Sequence, residues 1–195
     1  MRFAGRPSWR VALDTSGEVG FALHVRAALG LEQVLAPAVP PLDRPLPDAD
    51  LLPTAELDLL RVTADWEDWW VDLFPREPAR DRPGDGWRGF PAGLAAHEDR
   101  LRSASARWSR ARRLDEEAAG LRCTRSALPA WQAVDELTAE RGGEAPLFDL
   151  RIVELPVAGD LWRHAPRGFL LASTEALRAD TAAARLKAVI RALLV

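Results

Sequence analysis

Tyrosine and asparagine are absent from this sequence, and lysine occurs once, at Lys187, against 25 arginines. Isoleucine occurs only at Ile152 and Ile190. These gaps follow the codon composition of a GC-rich genome and point to a bacterial source. Arginine abundance is then partly a codon effect and does not by itself signify phosphate recognition. Cys123 is the only cysteine. That excludes a disulfide within the chain and fits a cytoplasmic setting. No apolar run approaches the roughly 18 residues that a transmembrane helix needs. The opening MRFAGRPSWRVAL carries arginines but no apolar segment of signal-peptide length. With a net charge of −3, no global field draws the molecule to nucleic acid or to an anionic membrane.

The usual chemical signatures are missing as well. His24, His97 and His164 are not spaced as helical metal ligands, and neither H-E-x-x-H nor C-x-x-C occurs. There is no Walker loop and no G-x-G-x-x-G. No cofactor and no metal site is expected. Cys123 lies between Arg122 and Arg125, where positive charge can lower a thiol pKa, but a lone cysteine is usually inert. LDTSGEVG (13–20) resembles, over this one stretch, the metal-ion-dependent adhesion motif of von Willebrand factor A domains. Asp14 and Ser16 stand at two of its ligand positions. Glu18 takes the third, and residues 31–146 offer helices and prolines instead of the strand–helix alternation that the fold requires. The stretch reads as a turn.

What is present indicates an α+β fold in a single domain over 1–195, with about four helices. A small, mostly antiparallel sheet draws strands from both termini, and the central helices pack on it. Residues 9–25 read as a hairpin around DTSGE. A strand followed by a helix that ends at Gly30 is the alternative, because Phe21, Val25, Ala28 and Leu29 also share a helical face. Prolines at 37, 40, 41, 45, 47 and 53 make 36–53 an extended strap. Residues 75–91 form a Pro/Gly-rich connection. Helices are expected at about 54–74, 92–120 and 129–141, the last ending at Gly142-Gly143. LFDLRIVEL (147–155) is a strand, and one or two more follow across LWRH and RGFLLAS. Ser173 or Thr174 caps a final helix.

DWEDWW (65–70) places aromatics among acids. Trp66, Trp69, Trp70, Leu73 and Phe74 fall on one helical face, and the acids fall off it. The tryptophans therefore read as core, not as a ligand platform.

Charge is polarised along the chain. Residues 41–75 carry a balance of −7 and residues 76–113 a balance of +5. On helix 92–120 Arg100, Arg102, Arg107, Arg110 and Arg113 lie opposite the stripe formed by Leu94, His97, Leu101, Ala104, Trp108 and Ala111, and Arg112 lies nearer to it. The simplest outcome is that acidic segment and basic helix satisfy one another. Beyond that, Arg100, Arg107, Arg110 and Arg113, with Trp87 and Phe90 before them, are the candidate partner-binding residues. Three functions follow. The first is a non-catalytic interaction or accessory subunit of a bacterial complex that binds an acidic protein. The second is nucleic-acid association through the same arginines. The third is an enzyme whose site gathers Asp14, His24, Cys123 or His164 from afar.

Overall fold

The structure, a computed structural model, describes residues 9–14, 17–33, 39–73, 89–120, 130–144, 147–165 and 168–194. The chain has the α+β class expected. Contacts divide it into two compact units, Met1–Thr15 with Arg122–Val195, and Ser16–Leu121.

The first unit holds the sheet. Its strands are β1 (Trp9–Asp14), β2 (Phe148–Leu155), β3 (Trp162–Ala165) and β4 (Phe169–Ser173), in the spatial order β1-β2-β4-β3. β1 and β4 both lie parallel to β2, and only β3 and β4 pair antiparallel. The sheet is therefore mixed, which corrects the mostly antiparallel expectation. The cause lies after Asp14. The chain enters a helix there and does not fold back, so β1 meets its neighbour only after a long crossover, as parallel strands must. β2 shows its central place in its side chains, with Phe148, Leu150, Ile152, Val153 and Leu155 all buried.

Three helices belong to this unit: Ala130–Glu140, Thr174–Arg178 and Ala182–Leu193. The first ends in the glycines expected of it. Gly142 and Gly143 take positive φ, and the Gly143 amide donates to the Thr138 carbonyl at 2.9 Å. The expected final helix is two helices, broken where Ala179 turns extended. Ser173 caps the first of them by accepting from the Ala176 amide at 3.1 Å. Leu177, Leu186, Val189 and Ile190 pack with Val11, Leu150, Ile152 and Leu170 in one core.

The second unit is helical. With the remaining helices numbered in chain order, α1 is Gly17–Ala28, α2 is Leu59–Asp72 and α3 is Glu98–Ala118. The three helices of the first unit are then α4, α5 and α6. α1 occupies the stretch read first as the second arm of a hairpin, so the strand–helix alternative is the observed one. Val19, Phe21, Ala22, Leu23, His24, Val25 and Ala28 are all buried. A helix buried on most of its circumference loses the single-stripe pattern and imitates alternation.

The tryptophan stripe of α2 is core, as its spacing implied. Val62, Trp66 and Trp69 are buried, and Glu67 and Asp68 are exposed. The Trp66 indole donates to the Ala22 carbonyl at 2.8 Å, and Trp69 meets Phe21 edge to face with centroids 5.7 Å apart. Asp58 caps α2 by accepting from the Arg61 amide at 3.2 Å. The expected stop at Pro75 lies outside the described residues. Among the described residues no helix is long and apolar enough to cross a membrane.

Candidate functional site

α3 is preceded by a 3-10 turn over Ala92–His97. Its inner face holds Leu101, Ala104 and Trp108, and Trp108 is its last buried residue. Ala111, expected on the stripe, is exposed. The final turns of α3 therefore bury no side chain, and the side that continues the Trp108 face is held by polar contacts at Arg112 and Asp115.

Those contacts come from the segment 39–52. Arg26 is the buried anchor at its start, donating to the Val39 carbonyl at 2.9 Å and the Pro40 carbonyl at 2.6 Å. Burial lowers the Arg26 pKa from its ordinary value, and the nearby Glu32 opposes that. At the other end, the Leu52 amide donates to the Ala28 carbonyl at 2.9 Å. Between these points α3 holds the segment by its side chains. Arg100 donates to the carbonyls of Ala49 and Leu51, each at 3.1 Å. Arg107 pairs with Asp50 at 2.8 Å and Arg112 with Asp43 at 2.7 Å. Arg44 of the segment reaches back to Asp115. The strap, expected to be extended, forms a 3-10 turn at Asp48–Asp50 and is stitched to α3, where Arg107 meets its Asp50 and Arg112 its Asp43.

Arg102 takes part in the same economy of charge. It pairs with Glu98 at 2.8 Å and Glu18 at 3.1 Å, and lies over the Phe21 ring at 4.4 Å. The Glu98 hydrogen bond is the main reason its pKa is raised.

The proposed partner-binding residues fall into four groups. Arg100 and Arg107 are engaged within the chain. Phe90 is half-buried, stacks on Phe21 at 5.7 Å and meets Trp69 edge to face at 5.5 Å. Arg110 and Arg113 are exposed and have no partner among the described residues. Trp87 lies outside the described residues. Beside the two open arginines stands Leu114, 58% exposed. The sequence signal for Leu114 was its place off the apolar stripe, a place that the stripe's own regularity hid.

The residues suggested for a dispersed catalytic site are spread out. Asp14 accepts from Arg151 Nε at 2.9 Å on β1, one edge of the sheet, and His164 is exposed on β3, the other edge. His24 belongs to the second unit and is wholly buried. Neither of its ring nitrogens has a hydrogen-bond partner among the described residues, and the same is true of the neighbouring Trp108 indole nitrogen. The His24 and Trp108 rings lie 6.1 Å apart. Burial lowers the His24 pKa to about 4; Asp50 raises it and Arg107 lowers it further. Cys123 lies outside the described residues. Among the described residues no three His, Cys, Asp or Glu side chains could hold a metal ion together.

The first unit carries a groove of about 480 Å³ between α4 and α6, lined by Gln132, Glu136, Asp180, Lys187 and Arg191. Its cations are committed: Lys187 bridges Glu136 at 2.5 Å and Glu140 at 2.9 Å, and Arg191 holds Glu140 at 2.7 Å.

No protein-family model, no curated protein and no solved structure matches the chain.

Proposed function

We propose that this chain is a non-catalytic interaction subunit of a bacterial cytoplasmic complex, and that it takes an acidic protein partner on the outer face of α3. One observation carries this reading. Most α3 arginines are bound to the chain's own carbonyls and carboxylates, whereas Arg110 and Arg113 are exposed without partners among the described residues, next to the exposed Leu114. Two guanidinium groups flanking a leucine suit a carboxylate-bearing segment with an apolar residue between its acids. Nucleic acid is the weaker reading. Two phosphate contacts give a salt slope of only about −2, and the chain carries a net charge of −3.

The test is a photo-crosslinking residue at position 114, used in the organism that encodes the chain. The expected result is a crosslink to protein that disappears in the Arg110→Glu/Arg113→Glu background. A crosslink to nucleic acid would move the assignment to the second reading. Absence of any crosslink would overturn the proposal.

A further inference from the structure

α2 presents an outer face of its own. Leu60, Ala64, Glu67 and Val71 recur at helical spacing and all are exposed, Leu60 by 86% and Val71 by 45%. Apolar side chains this open on a folded unit are unusual when they line up. Glu67 has no partner among the described residues, while Asp68 beside it does. Arg61 lies about a quarter turn off this face.

α3 offers the opposite arrangement. Ser103, Ala106, Arg110, Arg113 and Leu114 share its outer face, with Asp99 and Glu117 at its two ends, and Glu117 has a partner within the chain. One face is therefore largely apolar with a negative centre, and the other carries two arginines beside Ala106 and Leu114. Their lengths are similar: α2 spans about 21 Å and the stretch 103–117 of α3 about 22 Å. Both faces are exposed within one chain, so they do not satisfy each other there.

We infer that the partner of the α3 face is a second copy of this chain, docked through the α2 face at Leu60, Glu67 and Val71. This rests on the reading of Arg110, Arg113 and Leu114 as a partner site. Glu67 enters between the two arginines, Leu60 covers Ala106, and Val71 covers Leu114. The two faces differ, so the contact is heterologous. It either closes as a two-fold pair with two such contacts or propagates from copy to copy.

Sedimentation velocity on the full chain tests this across a range of concentrations. The sedimentation coefficient is expected to rise with concentration. It should fall back when salt is raised from about 0.1 M to 1 M, which shortens the Debye length from about 10 Å to 3 Å. Glu67→Arg alone and Arg110→Glu/Arg113→Glu alone should each sediment as monomers, with unchanged circular dichroism. An equimolar mixture of those two variants should associate again, because one supplies an intact α2 face and the other an intact α3 face, and the reversed charges at position 67 and at positions 110 and 113 also attract each other. A wild-type chain that stays monomeric, or an association indifferent to these substitutions, overturns the inference. In that case a crosslink from position 114 to a different protein leaves the broader reading standing, and no crosslink at all removes both.

Discussion

Arg107 Nη2 lies 2.8 Å from Asp50 Oδ1, and the two side chains differ sharply in exposure, 65% against 10%. The carboxylate is the member taken out of water, so the pair matters through Asp50. Arg107→Ala leaves that buried acceptor with its charge uncompensated. The expected cost is about 1–3 kcal/mol. Arg110→Ala, one turn along the same helix, removes no contact among the described residues and should change stability by less than about 0.5 kcal/mol. Urea denaturation of the two variants side by side checks the contrast.

His24 sets an acid limit on the helical unit. Burial holds its pKa at about 4, against an ordinary value of 6.5. The unfolded chain therefore takes up a proton near pH 6.5 that the folded chain refuses until about pH 4. The stability tied to neutral His24 is whole above pH 6.5, is lost as pH falls, and declines no further below about 4. Its size is about 3 kcal/mol. Carboxylates add their own slope in acid, so the measurement is a difference. His24→Leu should flatten the urea midpoint between pH 7 and pH 4.5 relative to wild type. Equal slopes in the two proteins would refute the assignment.

Trp69 tests the core of the same unit. It is buried against Phe21 and Phe90. Trp69→Ala should cost about 3–5 kcal/mol, as aromatic truncation in a core does. Trp70 is only half-buried and stacks on Trp66 at 5.4 Å, so Trp70→Ala should cost clearly less. Comparable losses would mean that the stripe is not sorted into a buried and a boundary part.

Much of this was legible where one face of an element is buried and the other wet. The spacing of Val62, Trp66 and Trp69 identified both the helix and its inner face, and the glycines after Arg141 marked a helix end. α1 was harder, because His24, Val25 and Ala28 are buried alongside Phe21 and Leu23, and a pattern needs contrast to show a period. The direction of β1 could not be read from its own residues, since parallel pairing depends on where the chain goes after Asp14. Charge balance forecast that acidic segment and basic helix would meet, but not that Asp43 and Asp50 would supply the partners. Of the acids of α2, Asp68 has a partner and Glu67 has none among the described residues. Which arginines stay unengaged is decided by the path of residues 39–52, a tertiary matter.

Gly168 fixes the last strand in register. Its φ is +81°, and a Cβ there would fall on the carbonyl oxygen of Asp149 in β2. Its own carbonyl accepts from the Arg151 amide at 2.7 Å, just ahead of the Arg151–Phe169 register pair. Gly168→Ala must bear both the left-handed backbone and a clash with main chain that cannot rotate away. The loss should be at least about 3 kcal/mol. Gly159 gives the control: its φ is +76°, but nothing lies within 4 Å of the added carbon. Gly159→Ala should then cost only the backbone contribution, about 1 kcal/mol. Thermal unfolding of the two variants separates close approach from conformational strain. Equal shifts in Tm would show that the Asp149 contact can relax and that the β2–β4 register does not depend on it.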